Sequence, residues 1–150
     1  MDQKASMLIE KTAETNQRSA REYSPLALAY IGDGVYEIFV RTYVINKGNA
    51  PVNKLHKASR DLVRAEAQAG IYHIIEPILT EEEKEVLRRG RNAKSISSPK
   101  NADIRDYRHA TGLEALIGYL YLDKQIARID ELITVGIKGL MDTKEEKNVK

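Results

Sequence analysis

The chain lacks cysteine and tryptophan altogether, and it has only one phenylalanine among its 150 residues. Without cysteine it can form neither a disulfide bond nor a thiolate metal site, so a bound metal would need aspartate, glutamate or histidine ligands. Long apolar runs are also missing. None approaches the roughly 20 residues of a membrane-spanning helix, and no apolar signal core lies near the N-terminus. We therefore expect a soluble, cytoplasmic protein that does not act in a membrane.

A strong excess of one charge is absent as well, because the net charge is only +2. The basic residues are nevertheless concentrated in one segment. Between Lys84 and Arg108 there are eight lysines and arginines and three acidic residues, so this segment carries +5 and the remainder −3. Such an asymmetry is typical of a surface that faces phosphate groups. On charge alone, a solvated arginine-rich loop is an equally good interpretation.

Strand-like alternation of apolar and polar residues is also absent, which predicts an all-α protein. Ser24 and Pro25 form a strong helix start, with serine as the cap and proline in the first turn. Thr80 and Glu83 have the spacing of a capping box. Together with the other breaks in the pattern, these signals predict helices over about 25–48, 52–69, 71–76, 81–89, 106–122 and 126–141, with a long basic loop before the fifth and a joint at Gly70.

Two of these helices each contain an isolated carboxylate. Asp33 is the only charge in LALAYIGDGVY, and Glu114 is the only charge in ATGLEALIGYLYL. A carboxylate on a buried helix face is costly unless it is paired or binds a metal. Because small residues allow helices to approach closely, we predict that the two helices cross near Gly32 and Gly118 and bring the acids together. The alternative is that each acid lies at a helix edge, paired with a lysine or arginine.

Two carboxylates at one point repel each other unless they share a proton or a cation. With oxygen ligands alone, the favoured cations are Mg²⁺ and Mn²⁺. The pattern therefore predicts a divalent metal site at Asp33 and Glu114, but it does not identify a reaction.

The two segments also resemble known motifs. LALAYIGDGVYEIFV resembles the signature stretch of the ribonuclease III catalytic domain, and TGLEALIGYLYLD resembles its second acidic motif. RGRNAKS, SPKN and LHKAS resemble the compact Mini-III branch of that family, which has no double-stranded-RNA-binding domain. The resemblance implies an all-α, ribonuclease III-type endonuclease domain, a compact helical bundle over 23–141 that forms a symmetric homodimer. We predict an N-terminal helical arm at 1–22 and a disordered tail at 142–150.

The resemblance further implies a Mg²⁺-dependent endoribonuclease, in which Mn²⁺ can replace Mg²⁺, that cleaves double-stranded RNA and leaves 5′-phosphate ends. The Mini-III branch implies maturation of the 23S ribosomal RNA precursor. Asp33 and Glu114 match the principal metal ligands, and these are the implied catalytic residues. Tyr30 matches an aromatic residue of the dimer interface. Ala29 and Thr111 stand where longer relatives carry two further acids, so part of their metal site is missing here.

The basic segment is the first candidate for binding the RNA duplex. Without an appended binding domain, the catalytic domain must hold the RNA itself, and duplex RNA is contacted mainly through its phosphates and 2′-hydroxyls. The residues that we predict to bind RNA are Arg88, Arg91, Asn92, Lys94, Lys100 and Arg108 and, on the second helix, His56 and Lys57.

Two other functions remain open at this stage. The missing acids are compatible with a non-catalytic subunit of the same fold that only binds double-stranded RNA. An all-α, Mg²⁺-dependent nucleotide pyrophosphohydrolase is the second alternative, and it would use Glu-x-x-Glu pairs on facing helices. The one dense acidic cluster, Glu81 to Glu85, fits a helix start better.

Overall fold

The computed structural model of the chain describes residues 19–94 and 103–149, and every regular element in these ranges is helical. This confirms the all-α prediction. Most of the predicted N-terminal arm and the segment 95–102 lie outside the described residues. None of the described helices is both long and apolar enough to cross a bilayer. The elements are the 3-10 turns Ala20–Glu22 and Glu76–Ile78 and the helices α1 Pro25–Asn46, α2 Val52–Val63, α3 Ala65–Ile75, α4 Glu81–Asn92, α5 Ile104–Leu122 and α6 Ile126–Val149.

The central helix of the bundle is α5. It is packed against α1, α3, α4 and α6, and its apolar side chains point in all directions. Leu113, Leu116, Ile117 and Leu120 are fully buried on one side of it, and Ala115 and Tyr119 are buried on the opposite side. A helix that is apolar all round is stable only where other elements cover every side. Glu114 is the one charged residue within this buried stretch.

The start of α1 follows from the residues at its N-terminus. The Ser24 hydroxyl accepts a hydrogen bond from the backbone nitrogen of Ala27 at 3.2 Å, and Pro25 occupies the first turn. The predicted start and the predicted end near Gly48 are both confirmed. One side of α1 is buried in the core through residues such as Leu28 and Tyr36, while the opposite side is exposed.

The second predicted helix is divided in two, so the prediction of one helix over 52–69 with a joint at Gly70 is wrong. The break lies at Arg64, whose backbone is extended (ψ 149°), and α3 runs through Gly70 to Ile75. At the break, two backbone carbonyl groups lose their helical hydrogen bonds, and side-chain donors take the place of the missing partners. The Tyr36 hydroxyl donates to the Leu62 carbonyl at 2.6 Å, and the Gln68 amide donates to the Val63 carbonyl at 2.9 Å.

The N-terminus of α4 has the predicted capping box. Thr80 Oγ1 accepts from the Glu83 nitrogen at 3.1 Å, and Glu83 Oε1 accepts from the Thr80 nitrogen at 2.9 Å. The Glu83 carboxylate is buried and also forms an ion pair with Arg128 of α6 at 2.8 Å. The cap and the ion pair thus leave no unpaired buried charge on Glu83, and they connect the start of α4 to α6.

The last helix is longer than predicted. α6 continues to Val149, whereas we predicted a disordered tail over 142–150. The side chains at 142–147 are all exposed, so no apolar pattern marks this part of the helix. Its lysines and glutamates are good helix formers, and they extend a helix that is already anchored in the core through Ile129, Leu132 and Ile137.

Candidate active site

The crossing of α1 and α5 determines the geometry of the site. A Cβ atom on Gly32 would overlap the Glu114 carbonyl oxygen and lie 2.8 Å from the backbone nitrogen of Gly118. A Cβ atom on Gly118 would likewise overlap the Leu28 carbonyl oxygen. Both positions therefore require glycine, and the predicted close crossing at Gly32 and Gly118 is confirmed. Gly34 differs, because nothing within 4 Å would meet its Cβ.

This crossing brings Asp33 of α1 and Glu114 of α5 into side-chain hydrogen-bond contact. Burial, followed by the hydrogen bond and the charge of Asp33, raises the pKa of Glu114 to about 9. Among the described residues, Asp33 is the charged group that shifts this pKa, and no lysine or arginine does so. Glu114 therefore does not form the helix-edge ion pair that was the alternative. At neutral pH and without a cation, this raised pKa keeps Glu114 protonated, and a divalent cation can replace the proton.

Tyr36 lies beside the acid pair and was not singled out from the sequence. It is fully buried, and both burial and the charge of Glu114 raise its pKa. Its hydroxyl donates to the Leu62 carbonyl, so this tyrosine joins α1 to the end of α2 beside the acid pair. The only signal in the sequence was its position, three residues after Asp33 on the buried side of the same helix.

The positions of the two missing acids offer no replacement ligand. Ala29 and Thr111 are both buried, and the Thr111 hydroxyl donates to the Tyr107 carbonyl at 2.9 Å within α5. Among the residues that the structure describes, no group of three histidines or acids is placed to hold a metal ion. A cation at Asp33 and Glu114 would therefore complete its coordination with water and substrate oxygens. The exposed side of Asp33 leaves room for them.

The acidic cluster at the start of α4 is used structurally. Glu83 forms the capping box and the ion pair with Arg128, and Glu82 is bound by Arg21 and by the Tyr119 hydroxyl. Both the hydrogen bond from Tyr119 and that from Arg21 lower the pKa of Glu82. These contacts speak against the facing Glu-x-x-Glu pairs that a nucleotide pyrophosphohydrolase would need.

Most of the predicted RNA-binding residues within the described ranges lie at the adjoining ends of α4 and α5. The two helices approach closely there, since a Cβ on Gly112 would lie 2.7 Å from the Leu87 carbonyl oxygen. Arg91 is half-buried and donates to the Tyr72 hydroxyl at 3.3 Å. Lys100 lies outside the described residues. The exposed members of this set are Arg88, Asn92, Lys94 and Arg108.

The two candidates on α2 are placed elsewhere. Lys57 is exposed on the surface of α2. His56 lines a groove of about 180 Å³ between α1 and α2, together with Ile45 and Val52. The structure thus does not bring His56 together with the cluster at the ends of α4 and α5.

Tyr30 belongs to an exposed apolar stripe along the outer side of α1. Its side chain is 84% exposed, and Leu26, Ile38 and Ile45 are exposed on the same helix at spacings of four, eight and seven residues. These spacings keep them near one side of the helix. Exposed apolar side chains grouped in this way indicate an interaction surface, although the Glu37–Arg41 ion pair lies among them.

Comparisons with protein families, related sequences and solved structures all point to one family. Residues 26–125 match the ribonuclease III domain family. The Mini-ribonuclease 3 of Clostridium tetani is 50% identical over 125 residues, which are 83% of each chain. That of a Thermoanaerobacter species is 41% identical over 138 residues, or 92% of this chain and 97% of the relative. A crystal structure of a Fusobacterium nucleatum protein is 37% identical, covers 79% of this chain and superimposes with a TM-score of 0.71.

Proposed function

The chain belongs to the ribonuclease III family and is an endoribonuclease that acts on double-stranded RNA, and on this premise we propose that Asp33 and Glu114 are its catalytic metal ligands. Nucleases of this family generally use a divalent metal. The observation that carries the proposal is the direct contact of these two carboxylates at the glycine crossing of α1 and α5.

Mg²⁺, with Mn²⁺ as a substitute, suits this site because both donors are carboxylate oxygens. When bound, the cation supplies a Lewis acid that activates water and stabilises charge on the scissile phosphate. The residues of the chain hold the ligands in position. Glu114 is fixed by the crossing of its helix with α1, while the more exposed Asp33 faces solvent, where water and an RNA phosphate can approach.

We further propose that the RNA duplex contacts the adjoining ends of α4 and α5. Arg88, Lys94 and Arg108 are exposed there, and such side chains bind phosphates without reading sequence. Lys57 offers a second point of contact on α2. The relatives named Mini-ribonuclease 3 support the resemblance to the Mini-III branch, and that resemblance implies the precursor of 23S ribosomal RNA as the substrate in the cell.

The exposed apolar stripe on α1 supports a symmetric homodimer. In a two-fold interface the same surface of each copy meets itself, and a stripe along one helix can do so. Tyr30 lies one turn before Asp33 on this helix, so the interface would adjoin both acid pairs. Two neighbouring sites suit a substrate with two strands.

The experiment that tests this function is a cleavage assay on a long RNA duplex with Mg²⁺ and the variants Asp33→Asn and Glu114→Gln. We expect each variant to lose most of its cleavage, because each removes one of only two ligand charges. Duplex binding, measured by gel shift, should survive, because phosphate contacts with basic residues supply most of the affinity. Asp130→Asn, an exposed aspartate of α6, is the matched control and should cleave normally.

Near-normal cleavage by either variant would refute the assignment of the metal ligands. If the wild-type protein binds the duplex but does not cut it, the protein is instead a binding subunit of the same fold. Mapping the cut on both strands of a 23S precursor fragment then tests the substrate.

A further inference from the structure

Two of the three histidines of the chain lie side by side, although they are 36 residues apart in sequence. His73 belongs to α3 and His109 to α5, and their ring centroids are 4.6 Å apart with an interplanar angle of 56°. His109 lies five residues before Glu114, which places it on a different side of α5. The proposed function makes no use of this pair.

The hydrogen bond of His109 determines which of its nitrogens is free. Its Nδ1 atom lies 2.8 Å from the Arg105 carbonyl oxygen. A carbonyl oxygen can only accept, so Nδ1 carries the proton and donates. In the neutral ring, Nε2 therefore has an unshared electron pair. This arrangement, with one ring nitrogen donating to a backbone carbonyl, is the one that orients metal-ligating histidines.

The ring of Tyr72 packs against both histidine rings. The Tyr72 ring centroid is 4.5 Å from that of His109 and 5.2 Å from that of His73. Burial raises the pKa of the Tyr72 phenol, and its oxygen accepts a hydrogen bond from Arg91. The phenol therefore stays protonated and is no ligand. His73 is exposed, so the pair is open to solvent on one side.

We propose that His73 and His109 form a binding site for a transition-metal cation of the Zn²⁺ or Ni²⁺ type, which bridges α3 and α5. Two imidazole nitrogens suit such cations, whereas Mg²⁺ prefers oxygen ligands. Water completes the coordination on the exposed side of His73. The chain thus has two cation sites with different ligand chemistry, the carboxylate pair and the histidine pair.

The test is calorimetric titration of the untagged full-length protein with Zn²⁺, at a pH above the ordinary histidine pKa of about 6.5 and in excess Mg²⁺. We expect one equivalent to bind. His73→Phe keeps a ring in the cluster but removes the ligand, and we expect it to weaken Zn²⁺ binding by more than the roughly tenfold that loss of an outer-shell partner costs. His109→Ala should have a similar effect.

His56→Ala is the matched control, because His56 is the remaining histidine and lies in the groove between α1 and α2. It should bind Zn²⁺ as the wild type does. Zn²⁺ should also raise the melting temperature of the wild type and of His56→Ala, but not that of His73→Phe, since the cation joins two helices of the folded state.

Equal Zn²⁺ affinity in the wild type and His73→Phe would overturn the proposal. So would binding that persists in His73→Phe but disappears in Asp33→Asn, because the cation would then occupy the carboxylate pair. Neither result depends on RNA cleavage with Mg²⁺. If the zinc proposal fails, the proposed function is therefore unaffected and is decided by the cleavage assay.

Discussion

Glu114 lies in the most buried stretch of α5, and burial together with Asp33 raises its pKa to about 9. In the unfolded chain the same group has the ordinary pKa of a glutamate, about 4.3. Between these two values, the metal-free folded state holds one proton more than the unfolded state. The free energy of unfolding therefore falls as the pH rises through this range, by at most about 1.4 kcal/mol per pH unit for one proton. A residue that prepares a cation site thus weakens the fold when no cation is bound.

Glu114→Gln should remove this dependence. Glutamine is neutral at every pH and can donate a hydrogen bond to Asp33 as the protonated glutamate does. We expect the metal-free variant to be more stable than the wild type at pH 8 and nearly equal at pH 4, as measured by urea unfolding in a chelator. Glu145→Gln, on the exposed end of α6, should follow the wild-type profile. Parallel profiles of Glu114→Gln and the wild type would contradict the raised pKa.

At the scale of single elements, the two glycines beside Asp33 serve different purposes. Gly32 faces the backbone of α5 so closely that no Cβ fits, whereas nothing lies within 4 Å of a Cβ on Gly34. Within a helix, alanine is favoured over glycine by about 1 kcal/mol where there is room for its methyl group. A methyl group at a tight crossing instead costs typically about 1 to 3 kcal/mol.

We therefore expect opposite effects from two adjacent alanine substitutions. Gly34→Ala should stabilise the protein by up to about 1 kcal/mol, and Gly32→Ala should destabilise it and lower cleavage, because it separates Asp33 from Glu114. Thermal unfolding and the cleavage assay measure both. Gly34 lies between Tyr30 and Ile38 on the exposed stripe, so destabilisation by Gly34→Ala would mean that a second copy covers this glycine in the dimer.

The elements also show what the sequence could predict. Helix starts at Ser24 and Thr80 were predicted because their caps are local, and the crossing of α1 and α5 was predicted because Gly32 and Gly118 stand out among larger residues. The break at Arg64 was not predicted. It depends on hydrogen bonds from Tyr36 and Gln68 to the released carbonyls, and one of these donors is 26 residues away.

The candidate site could also be predicted only in part from the sequence. Asp33 and Glu114 were found because each is an isolated charge in an apolar helix. Tyr36 and the pairing of His73 with His109 were missed, because a tyrosine or histidine in a helix carries no pattern that shows which distant residue it meets. Such contacts depend on how α2, α3 and α5 are arranged in three dimensions.

At the scale of the whole molecule, the outer side of α1 combines an apolar surface with one residue of the acid pair. Leu26, Tyr30, Ile38 and Ile45 are exposed along it, and the groove between α1 and α2 adjoins the stripe at Ile45 and Val52. A surface of this kind is costly to leave in water. Covering it with the same surface of a second copy would place the two acid pairs near a common interface.

Tyr30→Asp tests this arrangement, because it places a charge at the most exposed apolar position of the stripe. We expect the wild type to sediment as a dimer and Tyr30→Asp as a monomer, with helical content unchanged by circular dichroism. Ile126→Asp, at the start of α6 and also exposed, is the matched control and should remain dimeric. Because Tyr30 is one turn from Asp33, cleavage of both strands by Tyr30→Asp should fall and recover only at high protein concentration, where dimers form again. A monomeric wild type, or a Tyr30→Asp variant that stays dimeric and fully active, would exclude the α1 stripe as the interface between copies.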